Sequence, residues 1–215
     1  MCHNAIPVYS VTIDSCMRII LAPMEGVVDY EMRDVLTRIG GFDRCVTEFV
    51  RVTDQLMPAK VFLRFAPELE RGGVTPSGVP VYLQLLGGSP RYMGLNAARA
   101  QKLSPPGIDI NFGCPSKTVN KSDGGSVLLR EPSRVGDIVA SVRQAVDPAI
   151  PVTAKIRLGF SNPDFLSEVV ERNGKVALIT NRNKNLDSYT WDNLLAQGLP
   201  LTPDNTCIIG RVATD

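Results

Sequence analysis

The chain has 215 residues, with 23 Lys and Arg against 22 Asp and Glu, a formal charge of +1. Its 44% hydrophobic and 21% charged residues are ordinary for a globular protein and exclude a disordered chain, a coiled coil and a collagen-like repeat. No apolar run reaches the roughly 18 residues that a membrane helix needs, and the near-zero charge leaves any nucleic-acid contact to a local basic patch.

In chain order, Arg18–Ala22 is a short strand ending at Pro23. Asp29–Ile39 carries apolar residues at Met32, Val35, Leu36 and Ile39, a helical spacing, with Asp29 as N-cap and Gly40-Gly41 as the stop. Arg44–Val50 reads as a strand and Asp54–Phe62 as an irregular helix broken around Pro58. Residues 67–80, rich in Gly and Pro, read as a loop. Val81–Leu86, Ile108–Phe112 and Val152–Ile156 are strands; Ser89–Leu103 and Pro132–Val146 are helices that open on proline. Beyond residue 160 the pattern weakens. Phe165–Arg172 and residues 192–199 suggest helices, and Lys175–Thr180 and Cys207–Ile209 suggest strands.

Strands and helices alternate, which implies a parallel sheet, either doubly wound or closed as a barrel. The unusual residues fall at or just after strand C-termini: Pro23-Met24-Glu25-Gly26, Glu48, Gln84, Asn111 to Cys114, and Lys155. In a barrel those ends converge on one mouth. No strand is followed by GxGxxG, so the barrel is preferred to a dinucleotide-binding sheet. Only five strands are clear, and a complete barrel takes about 250 residues, so the barrel is read as incomplete.

The five cysteines, Cys2, Cys16, Cys45, Cys114 and Cys207, are odd in number, scattered and without a CxxC pair, which argues against a disulfide framework and a closed metal site. The one histidine, His3, leaves little room for Ser-His-Asp or Cys-His chemistry. Any reaction must use another acid or a cofactor. Cys114 follows a strand, with Gly113 before it and Pro115 after it. A thiol of ordinary pKa, about 8.5, is mostly protonated at neutral pH and suits proton donation to carbon; the bland reading is a buried small hydrophobe. Lys155 lies between Ala154 and Ile156 and must find an anion or snorkel. Gln84, among leucines, needs partners that a planar heterocycle or a neighbouring loop would supply. Lys117, Lys121, Ser122 and Gly124 to Ser126 form a basic, glycine-rich loop that suits a phosphate backbone or plain solvent; Arg51, Lys60 and Arg64 extend it. Gly210-Arg211 suggests a phosphate grip.

Together these segments resemble the tRNA-dihydrouridine synthases, most closely the bacterial C type. The matching pieces are Leu21 to Val27 (LAPMEGV), Thr47 to Val52 (TEFVRV), Gln84 to Gly87 (QLLG), Asp109 to Asn120 (DINFGCPSKTVN) and Lys155 to Gly159 (KIRLG), in the family's order. The resemblance covers about residues 17–160. It implies a TIM-type (β/α)8 barrel in the α/β class, with FMN as cofactor, NADPH as reductant and a uridine of the tRNA D-loop as substrate. It places Cys114 on the proton donor, and Pro23, Met24, Glu25, Gln84 and Lys155 on flavin contacts. Gly210 and Arg211 fall near the flavin phosphate, and Asn111 and Lys117 lie against the nucleic-acid substrate. It also implies a cytoplasmic monomer with no metal and no membrane.

Three segments are therefore expected. Residues 1–16 form an N-terminal extension, either ahead of a working start at Met17 or a true flexible arm. Residues 17–160 form the first part of the FMN barrel. Residues 161–215 form a divergent tail: no histidine follows His3, the spacing of Asn173-Gly174-Lys175 and Ile209 to Val212 is wrong for the family's later strands, and its C-terminal helical domain is absent. The alternatives are an inactive relic without flavin, or an FMN barrel that reduces a free pyrimidine.

Overall fold

The computed structural model describes residues 19–157 and the backbone of Ala177 and Leu178. The strands are β1 (Ile20–Leu21), β2 (Arg44–Arg51), β3 (Val81–Leu86), β4 (Ile108–Phe112), β5 (Val152–Ile156) and β6 (Ala177–Leu178). The helices are α1 (Tyr30–Ile39), α2 (Ala59–Phe65), α3 (Pro90–Ala100), α4 (Lys117–Lys121) and α5 (Pro132–Ala145). Every strand pairs in parallel with the one before it, giving the order β1-β2-β3-β4-β5-β6. A doubly wound sheet reverses direction at a switch point. None exists among these strands, so the sheet advances one strand at a time, as a barrel wall does. The fold is α/β, of the TIM-barrel type, and the described part is a curled section of that wall.

Period-two alternation gives the wall two different faces. Val50, Leu83, Leu85, Ile108, Ile110, Phe112, Ala154 and Ile156 share one buried cluster with Phe62 of α2, Met93, Ala97 and Ala100 of α3, and Val135, Ile138 and Val142 of α5. The intervening positions, Gln84, Asp109, Asn111, Thr153 and Lys155, lie on the opposite face, the barrel interior. The same alternation thus builds the core outside the wall and the polar site inside it.

Asp29 caps α1 as expected, its side chain accepting from the Met32 amide at 2.9 Å, and Ser89 caps α3. Two expectations are corrected, and one helix presents a face that its spacing does not show. The helix expected over Asp54–Phe62 begins only after Pro58, at Ala59, because proline suits a helix start and not its interior. The segment after Cys114, expected as a loop, contains α4 and a 3-10 turn, Gly125–Arg130. The apolar stripe of α1 does not face the core: Arg33 and Thr37 are buried, whereas Val35 and Ile39 are 54% and 79% exposed. The buried side is polar because Arg33 meets Glu68 there, and β1 is the sheet edge, with no described element beyond it.

The strand expected near Lys175–Thr180 is present as β6. Residues 1–16, the helices expected near 165–172 and 192–199, the strand at Cys207–Ile209, and Gly210-Arg211 lie outside the described residues. Among the described residues no helix is long and apolar enough to cross a membrane.

Candidate active site

The interior face of the wall carries a hydrogen-bonded row. Gln84, Asp109 and Thr153 are Cα partners across β3, β4 and β5. Asp109, 3% exposed, accepts from Gln84 Nε2 at 2.6 Å and from Thr153 Oγ1 at 2.5 Å. Gln84 Oε1 accepts from Asn111 Nδ2 at 2.8 Å. Asn111 Oδ1 accepts from the amides of Gly113 and Cys114, both at 2.9 Å. Burial pushes the Asp109 carboxyl up to about 6; its bonds from Gln84 and Thr153, and the charges of Lys155 and Arg44, pull the other way. Gln84 therefore has its partners inside the sheet, from strand neighbours and not from a loop. One amide hydrogen and one lone pair of Gln84 remain for a further partner.

Cys114 sits just past the end of β4 and is half-buried. Its carbonyl accepts from the Ser126 amide at 2.9 Å, so the chain after α4 folds back onto it. Gly125 makes this possible: its φ is +69°, and a Cβ there would lie 2.7 Å from the Cys114 carbonyl oxygen. The returning loop is clamped by Arg134 of α5, which donates from Nε to the Gly88 carbonyl at 2.9 Å and grips the Asp123 carboxylate with both terminal nitrogens.

Lys155 and Arg157 flank the same turn. An ideal Cβ on Gly113 would lie 3.4 Å from Lys155 Nζ and 3.5 Å from Arg157 Cγ. Burial lowers the pKa of both cations; at Lys155 the Asp109 carboxyl is the main group opposing that shift, with Cys114 behind it, and at Arg157 Cys114 opposes it. Neither has a hydrogen-bond partner among the described residues. A half-buried ammonium that faces the Asp109 carboxyl but has no hydrogen-bond acceptor among the described residues can take a further anion.

The turn after β1 closes the mouth from the other side. The Val27 and Val28 amides donate to the Met24 carbonyl, and Gly26, at φ +74°, donates to Glu48 Oε1 at 2.5 Å. Glu48 reaches it because β2 bulges: Val46 pairs with Tyr82, but Phe49 pairs with Gln84, and the Gln84 amide donates to Thr47 Oγ1 at 3.0 Å. Pro23 is half-buried; Met24 and Glu25 are exposed at the rim.

The expected residues thus divide. Gln84, Asn111, Cys114 and Lys155 gather on one face and one end of β3 to β5, with Pro23, Met24 and Glu25 on the β1 rim. Lys117 stands apart, exposed at the start of α4, with exposed Lys121 one turn on. Arg51 joins that patch by donating to the Thr118 carbonyl at 3.4 Å. Asp109, Thr153, Thr47 and Arg157 had no role in the sequence reading. The signal for Asp109 and Thr153 is phase: each lies two residues before a chosen one, on the same face of its strand. Among the described residues no three metal-ligating side chains cluster.

The family model described as dihydrouridine synthase (Dus) matches residues 20–178. The chain belongs to the dihydrouridine synthase family. It is 53% identical over 176 residues to a tRNA-dihydrouridine(16) synthase of Shewanella oneidensis, a match covering 80% of this chain and 56% of that one. It is 52% identical to the protein of the same name from Pseudomonas putida, covering 80% and 54%. A similar protein from Vibrio parahaemolyticus is 55% identical, covering 72% and 48%. The chain spans about half the length of the curated relatives it matches. Among solved structures, a variant of NCR from Zymomonas mobilis superposes with a TM-score of 0.51 at 13% identity, covering 90% of this chain and 81% of that one. At that identity it supports the barrel fold alone.

Proposed function

We propose that this chain forms the catalytic face of a tRNA-dihydrouridine synthase, reducing a uridine of the tRNA D-loop, with position 16 favoured by the names of its relatives. The observation that carries the reading is Lys155: a half-buried ammonium without a hydrogen-bond partner among the described residues, beside the Gly113-Cys114 turn at the strand ends. Those residues fit a flavin. Lys155 offers a cation to its electron-rich ring, Gln84 a spare amide hydrogen and lone pair, and Pro23, Met24 and Glu25 a rim. Bound FMN, reduced by NADPH, would supply the hydride to the uracil C5–C6 double bond.

The protein supplies geometry and a proton. Cys114 Sγ donates its proton to the uracil carbon, and Asn111, which fixes the Cys114 amide, keeps one amide hydrogen for the base. Lys117 and Lys121, with Arg51, Lys60 and Arg64, provide phosphate contacts that hold the tRNA. The target base must leave its stack to reach the turn. Gly210 and Arg211 are the proposed grip on the flavin phosphate.

The test is uridine reduction in tRNA by the full chain with FMN and NADPH, read by nucleoside mass spectrometry. Cys114→Ala should retain FMN and lose dihydrouridine formation. Unchanged turnover would remove Cys114 from the mechanism.

A further inference from the structure

We propose that Asp109 is a positioning residue for Cys114, acting through the side-chain amides of Gln84 and Asn111. The assignment of Cys114 as the reactive group rests on the function proposed above; the relay itself is read from four consecutive hydrogen-bonded side chains.

The chain of contacts runs Thr153 Oγ1 to Asp109, Gln84 Nε2 to Asp109, Asn111 Nδ2 to Gln84 Oε1, then the Gly113 and Cys114 amides to Asn111 Oδ1, all between 2.5 and 2.9 Å. An amide side chain can face either way, and only its hydrogen-bond partners choose between the two. Here both ends choose. An ionised carboxylate only accepts, so it draws Gln84 Nε2 and turns Gln84 Oε1 toward Asn111. Backbone amides only donate, so Asn111 must turn Oδ1 toward Gly113 and Cys114 and Nδ2 toward Gln84. The two constraints agree. Thr153 holds the far carboxylate oxygen, which keeps Oδ2 aimed at Gln84.

The relay needs its buried members. Gln84 is 0%, Asp109 3% and Asn111 6% exposed, so water does not readily replace a missing partner. Every buried side-chain polar atom among the described residues is paired, so removing Asp109 leaves a Gln84 hydrogen unsatisfied. The Gln84 amide can then rotate, Asn111 loses its fixed acceptor, and the Gly113-Cys114 turn loosens although Asp109 never touches it.

Two cysteines make this measurable in the flavin-free full chain. Cys114 is half-buried and reports the turn; Cys45 is 0% exposed and reports global opening. Alkylation by iodoacetamide, followed peptide by peptide by mass spectrometry, gives the ratio of the two rates. Asp109→Leu should change the Cys114 rate relative to Cys45, and speed amide exchange at Gly113 and Cys114, by about tenfold, the scale of one lost buried hydrogen bond. Asp109→Asn should restore the wild-type ratio, because its amide can accept from Gln84 and donate to a rotated Thr153 hydroxyl. Gln84→Met, similar in length but without an amide, should match Asp109→Leu, and the double variant should be no worse than either alone. If Asp109→Leu does not fold, Gln84→Met with Asp109→Asn makes the same comparison. A Cys114 to Cys45 ratio that stays at the wild-type value in Gln84→Met, or effects that multiply in the double variant, would overturn the relay. FMN titration is run separately, so loss of the functional reading is seen as failure to bind flavin and not as a change in these ratios.

Discussion

Arg33 and Glu68 face each other with essentially no solvent between or around them. Arg33 Nε donates to Glu68 Oε1 at 2.8 Å and Nη2 to Oε2 at 3.0 Å, with side chains 0% and 3% exposed. The remaining donors reach the carbonyls of Val28 at 3.2 Å and Phe65 at 3.0 Å. One guanidinium thus ties the turn after β1, which carries Pro23 to Gly26, to the end of α2. Taking both charges out of water is expensive, and here four of the five guanidinium hydrogens meet an acceptor.

Breaking the pair on one side should therefore cost more than removing both. Arg33→Met leaves a buried carboxylate and is expected to lose about 3–5 kcal/mol in urea unfolding. Arg33→Met with Glu68→Leu should recover a substantial part of it. A single variant as stable as wild type would show that the pair is not buried in solution.

Asp109 predicts a pH signature. A carboxyl whose folded pKa exceeds its unfolded value stabilises the fold below the unfolded value, and that contribution is lost as pH rises through the folded one. Asp109 moves from 3.8 to about 6, chiefly by burial, with Lys155 and Arg44 the cations that oppose it. The stability of Asp109→Asn relative to wild type should therefore climb between about pH 4 and about pH 6, by no more than roughly 3 kcal/mol. Taking the difference cancels the other carboxyls. A flat difference across that window would mean Asp109 is solvated.

Gly125→Ala should disturb the Cys114 turn. Its φ of +69° disfavours any side chain, and the new Cβ would press on the Cys114 carbonyl at 2.7 Å. The expected loss is about 1–3 kcal/mol, from strain together with overpacking, and thermal unfolding reads it. An unchanged Tm would place Gly125 in a different conformation.

Much of this was legible in the chain. β3, β4 and β5 run over the residues expected, because short apolar runs between turn signals leave little choice. Asn111, Cys114 and Lys155 converge because a parallel wall brings all strand ends to one side. What was not legible depends on partners. The α1 stripe reads as a core face, yet the helix turns Arg33 inward because Glu68, 35 residues away, awaits it. Spacing within one helix carries no information about such a pair. The role of Glu48 likewise depends on a β2 bulge, at which the Thr47 hydroxyl accepts from the Gln84 amide, and spacing within β2 alone does not show it. Asp109 was visible as a residue but not as a member of a relay, since the relay spans three strands.

As proposed above, these strand ends hold a flavin against Cys114. The direct measurement is an equilibrium titration of the purified full chain with FMN, followed by its visible band and fluorescence, alongside Lys155→Ala. Saturable binding is expected, weakened about tenfold or more in Lys155→Ala, as loss of a charge-assisted contact requires. A folded chain that binds no FMN, or binds it equally well without the Lys155 ammonium, would contradict it.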